Sequence, residues 1–273
     1  MHITNKISNL FHKFATKEFP KSIQNFINNG YVNLLGLDMK EFDAPSSYKT
    51  LNQLFTRELK IEREYSKDEN TFISPADSFV SESGNIENET ACQIKGMKYS
   101  VKELLTQEIL YDNFEKLKNG TFMNFYLSPK DYHRYHASFD CQITKLIHVP
   151  GKLYPVNFTY LKKQTSLFVE NERVILECKT KENKLFYMVF VGALNVGKMI
   201  FTFEPKVNTN VDAIHPIVYE YDDLYITKAD CLGYFEMGST VLMFWEKDMV
   251  EIENNINTKV RFGDVISTIV DID

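Results

Sequence analysis

The sequence contains no uninterrupted apolar run of about 18 residues, the length that a transmembrane helix needs, so we expect no membrane-spanning helix. Its N-terminus shows no continuous apolar segment before a small-residue cleavage site, which argues against a secretory signal. The four cysteines lie far apart without a CxxC pair or a Cys/His cluster, so we expect buried reduced thiols rather than a disulfide framework or a zinc site. A net charge of -6 argues against nucleic acid as a partner.

What the chain does contain is ample apolar content, 44% of 273 residues, which suffices for one large or two small domains. Residues 5–36 place apolar side chains at helical spacing on both sides of Pro20, which predicts two helices. From Thr121 onward, short β-type runs alternate with Gly, Pro and Asn turns. These runs cover residues 122–127, 143–149, 173–177, 185–191, 199–203, 240–245 and 260–266. The prediction is an α+β fold, with a helical region at residues 1–60 and a mainly antiparallel β domain at residues 61–273.

Two capping-box patterns predict further helices. The first, Thr50-Leu51-Asn52-Gln53, opens a short helix that reaches Arg57. The second, Ser100-Val101-Lys102-Glu103, opens a helix with one apolar face that continues until Asn119-Gly120 stops it. We expect this second helix to serve packing.

The first 30 residues differ in charge from the rest of the chain, because four lysines stand there against the single acid Glu18. The lysines are Lys6, Lys13, Lys17 and Lys21. They are interleaved with the apolar residues of the two predicted helices, which is typical of a segment that lies in an anionic membrane interface. The alternative is that the apolar stripe packs on the protein's own core, and each interpretation can hold for a different helix.

Residues 232–240 read Leu-Gly-Tyr-Phe-Glu-Met-Gly-Ser-Thr, and an apolar run follows at once. Two β-type runs meet at Gly238-Ser239, so a turn there would let the serine hydroxyl bend back on the carbonyl before it. Glycine suits that approach because it lacks a Cβ. The alternative is an ordinary hairpin turn without chemistry.

Two histidines, His133 and His136, are candidates for acid–base chemistry because histidine carries protons near pH 7. In an extended segment they face opposite sides, whereas a turn after Pro129 would present both to one cleft. No third ligand pattern accompanies them, so we predict no metal site. Asp77 is a candidate to orient a histidine, and the alternative is a turn aspartate that bonds its own backbone.

An ordered set of motifs from about residue 50 to the C-terminus resembles the phosphatidylserine decarboxylases. Residues 232–240 resemble the self-cleavage motif of that family. The other matching stretches are Phe-Thr-Arg-Glu-Leu-Lys at 55–60, Ser-Pro-Ala-Asp at 74–77, Tyr-Leu-Ser-Pro-Lys-Asp-Tyr-His-Arg-Tyr-His at 126–136, and residues 168–173 and 191–197. Ser78 and Ser138 stand where the family usually has glycine and proline, which bears on the loops that present Asp77 and His136 but removes no reacting group.

The resemblance implies an Asp77, His136 and Ser239 relay that cuts the chain between Gly238 and Ser239 into a large chain, 1–238, and a small chain, 239–273. Ser239 becomes a covalent pyruvoyl group, so pyruvate is the expected cofactor. Phosphatidylserine would form a Schiff base with this group and lose CO₂ to give phosphatidylethanolamine. His133 is the expected proton donor after CO₂ has left. For Arg57, binding of a phosphate or carboxylate and a structural ion pair both stay open.

The expected partners are phosphatidylserine, an anionic membrane surface and the two chains of one precursor, with a homodimer open as an alternative to a monomer. The expected location is peripheral, on the cytoplasmic side of the cell membrane. The rival functions are a decarboxylase of a soluble amino acid, a lipid-binding or scaffold β protein that has lost self-cleavage, and a serine hydrolase. The last is the weakest because Ser239 lacks a nucleophile-elbow context.

Overall fold

The computed structural model describes residues 2–94, 97–194, 198–211, 213–236 and 239–270. Helices concentrate in the first part of the chain. Their bounds are α1 Ile3–Ala15, α2 Lys21–Leu35, α3 Leu51–Phe55, α4 Val101–Leu105, α5 Tyr111–Lys116, α6 Phe158–Leu161 and α7 Leu167–Glu170, with a 3₁₀ turn at Pro45–Ser47.

Strands occupy most of the remainder. Their bounds are β1 Thr71–Ile73, β2 Ser78–Asn85, β3 Thr90–Ile94, β4 Met97–Ser100, β5 Thr121–Leu127, β6 Arg134–His136, β7 Cys141–Val149, β8 Arg173–Lys179, β9 Leu185–Val191, β10 Met199–Phe201, β11 Ile217–Glu220, β12 Tyr225–Ile226, β13 Cys231–Phe235, β14 Ser239–Trp245, β15 Val250–Ile252, β16 Lys259–Val260 and β17 Val265–Ile269.

The large sheet has the strand order β11-β7-β8-β9-β14-β5-β2-β16, and β12 also pairs with β7. Smaller sheets have the orders β10-β13-β6, β1-β17-β15 and β3-β4. Every one of these ladders is antiparallel. The predicted α+β fold, with a helical N-terminus and a mainly antiparallel β part, is therefore confirmed.

Strand β14 lies inside the large sheet, paired with β5 on one side and β9 on the other. All of its residues are buried, which explains why its sequence is a continuous apolar run rather than an alternating one. Trp245 at its end meets the edge of the Phe72 ring, and Phe72 stacks on Phe139. The main core thus lies against both faces of this strand.

Both predicted N-caps are confirmed. The Thr50 hydroxyl accepts a hydrogen bond from the Gln53 backbone N–H at 3.0 Å, and the Ser100 hydroxyl accepts one from the Glu103 N–H at 3.1 Å. Each side chain satisfies a backbone donor that has no partner within its own helix.

The single helix predicted from residue 100 to Asn119-Gly120 is wrong, because the chain forms the two short helices α4 and α5 there. Thr106 has φ +68°, a left-handed conformation that no α-helix contains. The break still leaves Leu104, Phe114 and Leu117 buried. The apolar residues were therefore predicted correctly, but they cover the core from two short helices and not from one long helix.

The run predicted as one strand at residues 260–266 is also interrupted. Strands β16 and β17 are separated by a turn in which the Arg261 N–H donates to the Asp264 carboxylate at 2.7 Å. Gly263 has φ +100° in this turn, a value that favours glycine. The two halves then join different sheets, which a continuous strand could not do.

The buried side chains of helices α1 and α2 are mostly polar, with Ala15 of α1 as the buried apolar one. Asn5, Ser8, Gln24 and Asn28 are at most 4% exposed, and the Asn28 amide donates to two backbone carbonyls at 2.9 Å. The large apolar residues on the outer side are between 45% and 84% exposed: Ile3, Ile7, Leu10, Phe14, Ile23, Phe26 and Leu34. Within the described ranges, no helix combines the length and the apolar character that a membrane span requires.

The close approach of Gly120 to β14 generates a stability prediction. A Cβ at Gly120 would lie 2.2 Å from the Trp245 carbonyl oxygen, so Gly120→Ala must displace backbone and should lower the free energy of unfolding by about 1–3 kcal/mol. Gly30 in α2 meets nothing within 4 Å, so Gly30→Ala should raise it by about 0.5–1 kcal/mol. Urea unfolding followed by the fluorescence of Trp245 measures both. Equal stability of the Gly120→Ala variant and the wild type would contradict the packing described here.

Candidate active site

Ser239 is the first residue of β14 and is fully buried. It pairs with Leu127, the last residue of β5. Its hydroxyl oxygen has no hydrogen-bond partner among the described residues. A buried hydroxyl without a partner is costly, so its presence points to a role beyond packing.

The strands on either side of the predicted cleavage point belong to different sheets. Strand β13 pairs with β10 and β6, whereas β14 pairs with β5 and β9. The connection is therefore a crossing between sheets, unlike the hairpin turn of the alternative interpretation. Met237 and Gly238, on which the predicted turn falls, lie outside the described residues.

The segment that follows Leu127 runs beside the segment that precedes Ser239. Its first turn is closed by Ser128, whose N–H and hydroxyl both donate to the Asp131 carboxylate, at 2.7 and 2.6 Å. Its end is tied by the His133 carbonyl, which accepts from the Phe235 N–H at 2.9 Å. Ser239 and His133 therefore belong to two segments that are joined at both ends.

His133 is fully buried, and its ring centroid lies 3.9 Å from that of Phe55. Its Nδ1 is 2.8 Å from the Asp131 carbonyl, which can only accept, so Nδ1 carries the hydrogen. Nε2 has no partner among the described residues. Burial, with Arg57 as the second cause, lowers the pKa of His133 to about 3. The ring is thus neutral near pH 7 and has a free lone pair on Nε2.

Arg57 connects helix α3 to the same loop. Its guanidinium donates to the carbonyls of Lys130 and Asp131 at 3.1 and 3.3 Å, and it lies over the Phe42 ring. Its hydrogen bonds in the described part of the chain go to backbone carbonyls. Arg57 and His133 thus share the Asp131 carbonyl as acceptor, so the arginine helps to hold that loop.

His136 lies in β6, and its ring stacks on Phe262 with centroids 3.7 Å apart. Nδ1 is 2.8 Å from the Ala229 carbonyl and must be the protonated nitrogen. Nε2 is 3.1 Å from the Tyr132 hydroxyl, from which it accepts. Burial, as the largest cause, lowers the pKa of His136 to about 4. This histidine is therefore also neutral near pH 7, but both of its nitrogens are occupied.

The Asp77 carboxylate pairs with Arg63 through both of its oxygens and accepts from the Phe262 N–H at 2.9 Å. Arg63 also pairs with Glu41 at 2.9 Å. Phe262 thus links Asp77 and His136, because its N–H donates to the Asp77 carboxylate and its ring stacks on the His136 ring. Within the described ranges no hydrogen bond joins Asp77, His136 and Ser239 to each other, and the Ala229 carbonyl fixes the His136 tautomer.

Three residues of this site were missed from the sequence. Arg63 stands in a charged stretch outside the matching motifs, Phe262 in the run predicted as a strand at residues 260–266, and Tyr132 inside the matching stretch at 126–136. Only Tyr132 carried a signal, because it belongs to the stretch that holds both histidines. The partners of Arg63 are 22 and 14 residues away in sequence, so no local pattern reveals them.

Comparison with known proteins identifies the family. Residues 51–268 match the family model described as phosphatidylserine decarboxylase. The chain is 42% identical to the phosphatidylserine decarboxylase proenzyme of Campylobacter jejuni subsp. jejuni, over 98% of this chain and 100% of that protein. It is 42% identical to the proenzyme of Helicobacter pylori strain Shi470, over 97% of each chain. It is 35% identical to that of Wigglesworthia glossinidia brevipalpis, over 81% of this chain and 79% of the relative. The chain belongs to the phosphatidylserine decarboxylase family.

Proposed function

We propose that the chain is a self-cleaving carboxy-lyase that converts phosphatidylserine into phosphatidylethanolamine. The observation that carries this proposal is the buried hydroxyl of Ser239 at the start of β14, which has no hydrogen-bond partner among the described residues. The neutral histidines His133 and His136 lie in the segment that follows β5, the strand that pairs with β14. The family to which the chain belongs supports the substrate, since the relatives are named phosphatidylserine decarboxylase proenzymes. The word proenzyme agrees with activation by cleavage.

In the proposed maturation, Ser239 Oγ attacks the Gly238 carbonyl carbon while His136 takes the hydroxyl proton. The C–O bond forms as the peptide C–N bond breaks, and the histidine gives its proton to the released Ser239 nitrogen, which leaves an ester. Loss of the Ser239 Cα proton then breaks the Cβ–O bond and frees a chain that ends in the Gly238 carboxylate. Water converts the remaining dehydroalanine into a pyruvoyl group and ammonia.

For this step His136 Nε2 must exchange the Tyr132 hydroxyl for that of Ser239. The neutral ring has its hydrogen on Nδ1, bound to the Ala229 carbonyl, so Nε2 is the nitrogen with base character. Asp77 acts on this ring through Phe262, which it holds by a backbone hydrogen bond. Its negative charge nearby favours the protonated imidazole that forms during attack.

The surroundings of Ser239 fit a pyruvoyl group. The position is fully buried, and in the part of the chain that the structure describes no hydrogen bond of the hydroxyl would be lost on conversion to a carbonyl. The group supplies an electrophilic carbonyl for the substrate amine and accepts the electron pair that CO₂ leaves behind. The protein therefore has to exclude water, orient the substrate and supply a proton carrier.

His133 is proposed as that proton carrier. Its free Nε2 can take a proton from the substrate ammonium and return it to the carbon that has lost CO₂. The anionic headgroup beside the ring opposes the effect of Arg57 on the histidine pKa, so the protonated form becomes accessible when substrate binds. The hydrogen bond from Nδ1 to Asp131 keeps the tautomer fixed throughout.

We further propose that the enzyme is peripheral on the cytoplasmic face of the cell membrane. Ile3, Ile7, Leu10 and Phe14 recur every three or four residues of α1, so they share its outward face. The lysines of α1 are exposed beside this stripe. Apolar insertion and attraction to anionic lipid would act together there. Phe11 and Ile27 pack instead against a cluster that includes Leu51 and Leu54 of α3, so the alternative of packing on the protein's own core applies to these two side chains.

The first prediction concerns maturation. Purified protein should contain two chains, and the smaller, residues 239–273, should resist Edman degradation because a pyruvoyl end has no amine. Ser239→Ala, His136→Ala and Asp77→Ala should each leave mostly one uncut chain. Intact-mass spectrometry measures the cleavage and the new end group. A wild-type chain that stays whole under native conditions would contradict the proposed function.

The second prediction separates the two histidines. His133→Ala should still give two chains but should lose about 100-fold or more in decarboxylation, the usual scale for a general acid or base. His136→Ala should fail at cleavage. An uncut His133→Ala chain would reverse the assignment and make the free Nε2 of His133 the base for Ser239.

The third prediction concerns the membrane. Replacing Lys6, Lys13, Lys17 and Lys21 with Gln should weaken binding to phosphatidylserine-containing liposomes and flatten its salt dependence, because each basic residue near the surface contributes about 1 kcal/mol that salt screens. Phe26→Ser with Leu34→Ser should weaken binding equally at all salt concentrations. Neither variant should prevent self-cleavage.

The control replaces four lysines of the β domain with Gln: Lys162, Lys163, Lys179 and Lys181. It should leave the salt dependence unchanged. Co-sedimentation with vesicles across a salt series measures all three variants. Unchanged binding of the Phe26→Ser, Leu34→Ser variant would mean that this face is covered by something other than lipid, such as a second copy of the chain.

A further inference from the structure

A cavity of about 600 Å³ lies beside the candidate active site. Asp77 and Ser78 line it on one side, and residues 130–132, which precede His133, line it on another. Gly36, the residue that ends α2, lies at its rim. The cavity therefore connects the site to the end of a helix whose Leu34 is 84% exposed.

The cavity is rich in positive charge although the chain as a whole is negative. Its cationic lining consists of Lys40, Arg57, Arg63, Lys130, Lys259 and Arg261. The two arginines Arg63 and Arg261 are paired with Glu41, and Arg63 also with Asp77, which removes much of the effect of those two carboxylates. The lining also contains Asp38, which pairs with Lys40 at 3.7 Å, and Asp131, whose carboxylate accepts from the Ser128 N–H and hydroxyl. The six cations of the lining therefore outnumber its four carboxylates.

Three other cations of the lining, Arg57, Lys130 and Lys259, remain available to bind a ligand. Arg57 is 3% exposed and donates to backbone carbonyls, and its Nε has no partner among the described residues. For Lys130 and Lys259, no ion pair is found within the described ranges. Asp131 lies close enough to Arg57 and Lys259 to interact with both electrostatically, but no ion pair joins it to either within the described ranges. A buried arginine that donates to backbone carbonyls, beside two lysines without ion pairs there, is suited to an anionic group.

The sheet places this cavity at a distance that fits the substrate. Ser78 and Val260, both in the lining, pair across β2 and β16. The next residue, Phe79, pairs with Tyr126 of β5, and β5 pairs with β14 at Ser239. Two strand spacings, roughly 10 Å, therefore separate Ser78 from Ser239. A phosphoserine headgroup whose amine reaches residue 239 has its phosphorus four bonds from that amine, about half of this distance. A lysine side chain of the cavity lining has to span the other half.

We propose that this cavity binds the phosphodiester of the lipid headgroup, with Lys130 and Lys259 as its principal contacts and Arg57 as the buried charge behind them. The inference rests on the proposed function, which puts the substrate amine at residue 239. The shared chemistry is that of any phosphate ester, so a free phosphate can compete for the same place. The lipid tails then leave the cavity toward the apolar outer face of α2.

The test uses the self-cleaved full chain and a short-chain, monomeric phosphatidylserine, so that binding to a membrane does not enter. Lys130→Gln with Lys259→Gln should raise KM on the order of 10-fold and leave kcat within about twofold, because the lost contacts bind substrate and transition state alike. Inorganic phosphate should inhibit the wild type competitively and the double variant more weakly. Continued self-cleavage shows that the variant folds.

A matched control is available in a separate cavity of about 540 Å³ that Lys179 and Lys181 line. Lys179→Gln with Lys181→Gln should change neither KM nor the inhibition by phosphate. An unchanged KM in the Lys130→Gln, Lys259→Gln variant would overturn the inference. If only inhibition by phosphate were lost while KM stayed, the cavity would be a site for free anions and the lipid assignment would be wrong. A wild type that neither cleaves nor decarboxylates would instead refute the proposed function.

Discussion

The position of β14 between β5 and β9 is the constraint on which the site depends. Pairing on both sides fixes the backbone from Thr240 onward, so Ser239 cannot move along the sheet without breaking two ladders. Burial on both faces also packs this position tightly into the core. The serine proposed to react is thereby held in place, so any movement that the proposed chemistry needs must come from the segments beside it.

Backbone carbonyls orient the two histidine rings of those segments. The Asp131 carbonyl receives both the His133 ring and Arg57, and the Ala229 carbonyl receives the His136 ring. A carbonyl can only accept, so it fixes which ring nitrogen carries the hydrogen without adding a negative charge. This explains how two buried histidines stay neutral while their base nitrogens keep a defined direction.

Local features of the fold were predictable from the sequence, and features that depend on distant residues were not. The caps at Thr50 and Ser100 act within one turn, so their pattern is complete in four residues. The break at Thr106 follows from how two short helices cover the core, which no window of sequence contains. The inward face of α1 was equally undecidable, because an amphipathic pattern does not say which face meets the protein.

The same limit applies to the site. The motifs locate Asp77, His136 and Ser239, since each belongs to a stretch that resembles the family. They do not say that Asp77 is occupied by Arg63 or that His136 is stacked on Phe262, because both contacts join segments far apart in the chain. The ordered motifs thus identify candidate reacting groups, and the tertiary structure gives the contacts that hold each of them.

The inner contacts of the N-terminal helices explain why their buried side chains are mostly polar. His12 of α1 lies 3.2 Å from Glu236, which directly precedes the undescribed residues before Ser239. Tyr31 of α2 donates to the Pro129 carbonyl at 2.9 Å, in the loop that leads to His133. Polar side chains on the inner face are needed for these bonds, since an apolar face could not satisfy the carboxylate and carbonyl that it meets. The outer face is left free to be apolar, so one pair of helices can hold both segments of the candidate site and carry the apolar surface on which the proposed membrane contact rests.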